Sequence, residues 1–178
     1  MITAQWERKA KSYRGSTVVL AVWLGLSGCG YRFTAGGAPL PQGVRHVFVP
    51  LFGNHTPEPN VEVTFTQVMR EQLLRAGTDG DGGSEARLEG DVRSLVSATG
   101  MTLNNVANAP PVYRVNGSLQ LRLLKGTALV AATTVNGSED YLSAGGDILA
   151  TEANRKAAIR RLAETLVKDG YGRLASGF

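Results

Sequence analysis

The chain has 178 residues, 43% of them hydrophobic, which is enough for one compact core and too little for two large ones. Most of its formal net charge of +4 lies in the first 28 residues, which hold four basic side chains and one acidic one. The rest holds 15 of the 19 basic and 14 of the 15 acidic side chains, so this near-neutral part has no general field that attracts polyanions. We therefore expect no nucleic-acid partner.

The first 28 residues have the order of a secretory signal. A basic stretch ending at Arg14 precedes the apolar run Thr17 to Leu26. That run is about half the length that a membrane-spanning helix needs, roughly 20 residues. Leu26-Ser27-Gly28-Cys29 then has the form of a bacterial lipobox, which is a branched apolar residue, two small residues and a cysteine. The pattern predicts that residues 1–28 are a signal peptide removed by cleavage.

Cys29 is the only cysteine, which excludes disulfides and cysteine metal sites. Its thiol is nucleophilic enough to accept a diacylglyceryl group, and two or three acyl chains hold a protein stably on a membrane. We expect this covalent lipid, palmitate included, in place of any cofactor, with residues 29–45 as the lipidated linker. Gly30 is compatible with transport to the outer membrane, so we expect a lipid-anchored protein on its periplasmic side.

Residues 46–178 are predicted to form one domain. His46 to Phe52 is an apolar, β-branched run that we interpret as the first strand, and the proline-containing segment after it as a loop. A helix follows, capped by Asn60 and ending at Ala76 before Gly77. Its apolar residues recur every three or four positions, which predicts one core-facing side.

Three strands with period-two alternation follow. In the first, the even positions from Ala86 to Val96 are predicted to face the core, and Leu95 to face solvent. In the second, the odd positions from Tyr113 to Leu123 are predicted to face the core, with a turn at Lys125-Gly126. The third runs from Leu129 to Tyr141, with its odd positions, including Leu129 itself, predicted to face the core.

The last element is an amphipathic helix that starts between Asp147 and Glu152 and is predicted to end by Gly170. The order is therefore β-α-β-β-β-α. This order predicts an α+β two-layer sandwich, in which a four-stranded, mostly antiparallel or mixed sheet carries two amphipathic helices on one face. The other face of the sheet is predicted to be polar.

A family resemblance extends over the part of the chain after the lipobox. The chain resembles the LptE family of lipopolysaccharide-assembly lipoproteins in CGYRF (29–33), Leu40-Pro41, VPLFGNHTPEP (49–59), VYRV (112–115) and EDYL (139–142). The resemblance implies the sandwich described above and a non-enzymatic protein of the Gram-negative cell envelope. It also implies a plug inside the LptD β-barrel, which assists barrel assembly, binds lipopolysaccharide and aids its transfer to the outer leaflet.

The polar sheet face supplies candidate contacts for lipopolysaccharide or for the barrel. Guanidinium groups can meet two phosphate oxygens at once, and a hydrogen-bonding sheet face suits the wet interior of a large barrel. The candidates are Arg87, Arg93, Arg114, Arg122 and Lys125, of which the last three are expected to form a patch near one hairpin end.

The segment Ser94 to Tyr113 contains no charged residue, so no binding residue is carried over from the family there. We hypothesise that its apolar part touches acyl chains or the barrel wall. Charges placed at Val106 and Ala109 would test this, because unchanged barrel association and lipid binding would contradict it.

Enzymatic patterns are absent from the sequence. His46 and His55 have no metal partner at useful spacing, and no nucleophile elbow or phosphate loop is found. Asp79 and Asp81 lack the later ligands of a calcium loop, so no metal site is predicted. An alternative function stays open, a periplasmic lipoprotein that binds a soluble ligand or a cell-wall enzyme through its polar sheet face.

Overall fold

The computed structural model describes residues 40–99 and 111–176. The predicted signal peptide, Cys29, Val106 and Ala109 lie outside these residues. The described elements are a 3-10 turn at Pro41–Gly43, β1 (Val47–Phe48), β2 (Gly53–Asn54), α1 (Val61–Ala76), β3 (Ala86–Thr99), β4 (Val112–Lys125), β5 (Ala128–Leu142) and α2 (Ile148–Ser176). In this part of the chain, neither helix is long and apolar enough to cross a membrane.

The strands form one mixed sheet. β3, β4 and β5 are antiparallel neighbours, while β1 and β2 both run parallel to β3 along its outer side. The α+β class and the two helices are confirmed. The sheet has five strands rather than four because the predicted first strand leaves the ladder between Phe48 and Gly53. There its backbone bonds to α1 instead, since Phe52 N donates to Thr66 Oγ1 at 3.0 Å and Val49 O accepts from Arg70 at 2.8 Å.

One core lies between the sheet and the helices. Buried side chains of α1, such as Phe65 and Met69, meet those of α2, such as Leu162 and Leu166, and the apolar side of β3–β5. Leu40 and Val44 are also buried, although they precede the domain boundary predicted at residue 46. The chain therefore already contributes to the core before β1 begins.

A β-bulge reverses the alternation of β3. Val92 pairs with Leu119 and Ser94 with Ser118, so Arg93 is an extra residue in the ladder. After the bulge, Leu95 is buried at 7% exposure and Val96 lies outside at 59%. The prediction that Ser94 and Val96 face the core was therefore wrong, because one inserted residue moves all later side chains to the opposite face.

A second irregularity corrects the predicted place of Leu129. Leu129 pairs with Leu124 and Ala131 with Leu123, so Val130 is the extra residue. Leu129 is consequently 59% exposed on the solvent side of the sheet, whereas the odd positions from Ala131 onward do face the helices.

The ends of the helices differ from the predictions in two places. Asn60 does precede α1, but its left-handed backbone (φ 62°) gives no side-chain cap. α2 continues past the predicted stop at Gly170 and ends at Ser176. Gly170 is buried in the helix, where a Cβ would meet the Leu121 side chain, and the following Tyr171 and Leu174 are also buried. Tertiary packing thus outweighs the roughly 1 kcal/mol helical cost of a glycine.

Candidate interaction surface

The sheet face opposite the helices carries no other described element, and we call it the open face. Cross-strand partners share a face, so the register of the strand pairs defines its members. They are Arg87, Glu89, Asp91, Ser94, Val96 and Ala98 on β3, Arg114, Asn116, Ser118, Gln120, Arg122 and Leu124 on β4, and Leu129, Ala132, Thr134, Asn136, Ser138 and Asp140 on β5.

The centre of the open face carries small polar side chains, and the exposed Arg93 stands beside it at the bulge of β3. Ser118 lies between Ser94 on β3 and Asn136 on β5, and the neighbouring cross-strand rows carry Asn116 and Gln120. Short hydroxyl and amide side chains leave this centre flat, and each can donate and accept hydrogen bonds. The arrangement suits close contact with another polar surface.

A cluster of ion pairs occupies one end of the open face. Glu89 lies between two cations, 2.8 Å from Arg87 and 3.2 Å from Arg122. Arg122 is also 3.3 Å from Asp91, whose carboxylate lies 3.2 Å from His55 Nε2. The bases of this cluster are thus paired with acids of the same face, although every member keeps some exposure to solvent.

The other end of the face holds one bidentate pair. Arg114 donates to both carboxylate oxygens of Asp140, at 2.7 and 2.9 Å. This hydrogen bonding lowers the pKa of Asp140 and raises the pKa of Arg114. The two side chains are directly opposite in the register, which gives the pair its geometry.

The structure separates the basic residues that were expected to form one patch. Arg114 lies eight residues along β4 from Arg122, or roughly 26 Å at the usual strand rise. Lys125 is farther still and pairs with Glu85 at 3.4 Å. The predicted patch of Arg114, Arg122 and Lys125 is therefore not formed.

Two other candidates have different environments. Arg87 and Arg122 are brought together on opposite sides of Glu89, across β3 and β4. Arg93 stands exposed at the bulge of β3 and forms no ion pair within the described residues. Of the five candidates, Arg93 is the one without an acidic partner in this part of the chain.

Sequence reasoning missed His55 and Asp140 as members of these clusters. Asp140 had a signal, because it continues the even, solvent-facing positions of β5. His55 had none, since it follows β2 and reaches the sheet through the parallel pairing of β2 with β3 and its own backbone hydrogen bond to the carbonyl of Val92. Within the described residues, no group of three or more histidine, cysteine or acidic side chains is placed to hold a metal ion.

A family model for lipopolysaccharide assembly, LptE, matches residues 44–174, which is well over half of the chain. The chain belongs to the LptE family. Two solved structures show the same fold at low identity. A Caulobacter crescentus CB15 protein described as a lipoprotein is 20% identical, with 71% of this chain and 88% of that one covered and a TM-score of 0.52. The rare lipoprotein B of Shewanella oneidensis is 14% identical, with 71% and 94% covered and a TM-score of 0.51. No curated protein sequence matches the chain.

The N-x-T-x-E-P segment behind the LptE resemblance is a hydrogen-bonded turn. Asn54 Oδ1 accepts from the backbone N and the hydroxyl of Thr56, both at 2.9 Å. Its amide nitrogen donates to the carbonyl of Glu58 at 2.8 Å and to the carboxylate of Glu62 on α1 at 2.9 Å. The asparagine and threonine of this segment therefore shape the connection from β2 to α1.

The glutamate of the same segment joins the turn to α2. Glu58 accepts two hydrogen bonds from Arg155, at 2.8 and 2.9 Å, and the two side chains are only 18% and 23% exposed. Arg155 also donates to Glu152 at 2.8 Å. The hydrogen bonds that Arg155 donates to Glu152 and then to Glu58 raise the pKa of Arg155, so it stays charged at any ordinary pH. The segment thus connects the second helix to the first through an ion pair.

Replacing Glu58 with glutamine is expected to lower the free energy of unfolding by about 1–2 kcal/mol, because Arg155 loses its less exposed carboxylate. Urea denaturation of the folded domain measures this. The matched control is Glu152→Gln, whose side chain is 40% exposed and only three residues from Arg155, so the cost should be about 0.5 kcal/mol or less. Equal losses of unfolding free energy in the two variants would contradict the conclusion that Glu58 is the more important partner of Arg155.

Arg155 also gives the stability a pH dependence with a definite sign. Its hydrogen bond holds the pKa of Glu152 below the usual 4.5. The Glu152 carboxylate therefore stabilises the fold fully at a pH above the pKa that Glu152 has in the unfolded chain. This stabilisation is lost as the pH falls through the lower pKa that Glu152 has in the folded protein.

Proposed function

We propose that this protein is an outer-membrane lipoprotein, anchored through lipid on Cys29, that acts without catalysis as the partner of an LptD-type β-barrel. In this role it plugs the barrel, assists its assembly and aids transfer of lipopolysaccharide to the outer leaflet. Membership of the lipopolysaccharide-assembly family and the lipobox before Cys29 support the proposal.

The observation that carries the proposal is the open face. It is long, polar and uncovered by any described element, and small polar side chains surround Ser118 at its centre, beside the exposed Arg93 at the bulge of β3. The interior of a large membrane barrel is polar and wet, so hydrogen-bonding side chains on the open face have partners there. Pairing of Arg87 and Arg122 with Glu89 limits the desolvation cost, since unpaired charges are the expensive ones to bury.

The same face has cations for the phosphates of lipopolysaccharide. Arg93 is exposed and unmatched within the described residues at the bulge midway along β3, and Arg87 and Arg122 lie farther toward one end of the face. A phosphate carries more charge than a carboxylate and offers three acceptor oxygens, so it competes well for a guanidinium. We propose Arg93 as the first phosphate contact, with Arg122 and then Arg87 farther along the same face.

Isolation of the full-length chain from outer membranes tests the proposal. With a C-terminal affinity tag, we expect one-to-one recovery with an LptD-type barrel and a lipid-modified Cys29 by mass spectrometry. Cys29→Ser is the matched control, because it removes the lipidated thiol and should release the chain from the membrane. A monodisperse lipoprotein without a barrel would instead support a periplasmic module for a soluble ligand or cell-wall enzyme.

A further inference from the structure

His55 and Arg122 share one carboxylate on the open face. His55 Nε2 lies 3.2 Å from Asp91 Oδ1, and a terminal nitrogen of Arg122 lies 3.3 Å from Asp91 Oδ2. Each of the two bases therefore has one oxygen of the same acid. Histidine is the side chain whose charge changes most readily between about pH 5 and 8, so this contact gives the cluster a charge that depends on pH.

The turn before α1 holds the backbone of His55 in this place. The His55 N donates to the carbonyl of Val92 on β3 at 3.0 Å. Around it, Asn54 Oδ1 accepts two hydrogen bonds from Thr56, both at 2.9 Å. The side chain of His55 is nevertheless 51% exposed, so a proton can reach the imidazole from solvent. The main chain is thus fixed beside Asp91, while the ring stays open to water.

The net charge of the cluster depends on His55. Arg87 and Arg122 are balanced by Glu89 and Asp91, so these four side chains together carry no net charge. A proton on His55 makes the cluster cationic. A phosphate group carries roughly 1.5 to 2 negative charges at neutral pH, so it is attracted more strongly to the protonated cluster.

Phosphate binding and protonation of His55 are coupled through Asp91. A phosphate that binds Arg122 competes with Asp91 for that guanidinium. Asp91 is only 18% exposed, so the loss of a cation beside it is unfavourable unless another cation remains. Protonated His55 is that cation. By the reciprocity of coupled binding events, protonation then strengthens phosphate binding, and phosphate binding favours uptake of a proton.

The turn that carries His55 and the helix after it contribute two further carboxylates. Glu62 of α1 accepts from the side-chain amide of Asn54 at 2.9 Å, and Glu58 accepts from Arg155 at 2.8 Å. Each of these acids therefore has a partner of its own. Asp91 is the acid that lies within hydrogen-bonding distance of the imidazole.

Arg93 is the remaining charge close to His55. It follows Val92, whose carbonyl accepts from the His55 backbone, and its exposed cation opposes a second positive charge on the ring. A phosphate bound at Arg93 neutralises this repulsion. Phosphate contacts at Arg93 and at Arg122 therefore both favour the protonated form of His55.

We propose that His55 is a proton-linked member of the phosphate site on the open face, so that lipopolysaccharide binds more tightly when His55 is protonated. The inference rests on the proposed function, because it needs phosphate to bind at Arg93 and Arg122. It adds a residue that does not touch phosphate and acts through Asp91. His55 is therefore a positioning residue of this site.

Proton uptake on binding tests the inference. The full-length chain is titrated calorimetrically with purified lipid A, the phosphate-bearing part of lipopolysaccharide, in one detergent and in buffers of different ionisation enthalpy at about pH 6.5. His46 is the other histidine of the chain and bonds to Asp79 instead, so His46→Gln is the matched control for His55→Gln. The parent and His46→Gln should take up a fraction of a proton more than His55→Gln. Protons exchanged by phosphate itself cancel in this comparison.

The pH dependence of affinity gives a second measurement. From about pH 7.5 to 5.5, the affinity of the parent relative to that of His55→Gln should rise about two- to fivefold, and less at high salt. A constant ratio, or equal proton uptake in all three proteins, would overturn the inference and leave the proposed function standing. Absence of lipid A binding at every pH would overturn both this inference and the proposed phosphate contact, whereas recovery of the barrel tests the plug separately.

Two isosteric substitutions test the shared carboxylate. Asp91→Asn and Glu89→Gln each remove an acid from Arg122, so both should tighten lipid A binding at about pH 7.5. Asp91→Asn also removes the anion beside His55, so it should lower the proton uptake, whereas Glu89→Gln should keep it. Equal proton uptake by these two variants would overturn the role of Asp91 as the link.

Discussion

Replacing Ser118 with arginine is expected to lower recovery of the barrel with the tagged full-length chain about tenfold, which corresponds to about 1.4 kcal/mol of binding free energy. Ser118 lies at the centre of the open face, with Ser94 and Asn136 as its cross-strand neighbours. A second long charged side chain there, beside Arg93, would hold a facing wall away from the small polar centre. Folding should be unaffected, because the new side chain extends into solvent.

The control for this prediction is Ala153→Arg. Ala153 is an exposed small residue on α2, so the variant adds the same side chain to the opposite layer of the sandwich. Its barrel recovery should equal that of the parent chain. If Ser118→Arg also recovers the barrel in full, the open face is not the contact surface, and the proposed plug would need another face.

Replacing Gly90 with valine is expected to lower the free energy of unfolding by about 3 kcal/mol. Gly90 lies under the ring of the buried Phe52, and a Cβ at this position would come within 2.5 to 2.6 Å of three ring atoms. Overpacking of a filled core typically costs about 1–3 kcal/mol, and the two methyl groups of valine enlarge the clash. Urea denaturation of the domain measures the loss.

A second-site change makes the Gly90 prediction specific. Phe52→Leu opens space above position 90, so the double variant should lose less stability than the sum of the two single variants. Gly172→Ala is the matched glycine control, because a Cβ there has no neighbour within 4 Å and alanine favours the helix. Additive costs for Gly90→Val and Phe52→Leu would contradict the ring contact.

The places where sequence reasoning failed share a physical cause. Both wrong strand faces, at Val96 and at Leu129, follow from a single extra residue in the ladder. A bulge has no clear mark in an alternating sequence, because the inserted residue, Arg93 or Val130, looks like an ordinary member of the pattern. The end of α2 was missed because Gly170 is typical of a helix stop, whereas the packing of Tyr171 and Leu174 continues the helix.

The ion pairs of the surface also could not be predicted from the sequence. The basic candidates were correctly placed on strands, yet whether each has an acid beside it depends on cross-strand register and on distant loops. Glu58 and Arg155 are 97 residues apart, and His55 meets Asp91 only because β2 runs along β3. The number of basic residues in the sequence is therefore larger than the number whose charge is free to meet a binding partner.

The sequence by itself determined the class of sandwich, the order of its elements, the polar character of one sheet face and the family, because hydrophobic period and local motifs are properties of neighbouring residues. Only the tertiary structure decided which arginines are matched by acids, where the strands slip by one residue, and that β5 is the last strand of the sheet within the described residues. Those features depend on pairing between distant segments, whose register is set by packing of the whole core rather than by local preference.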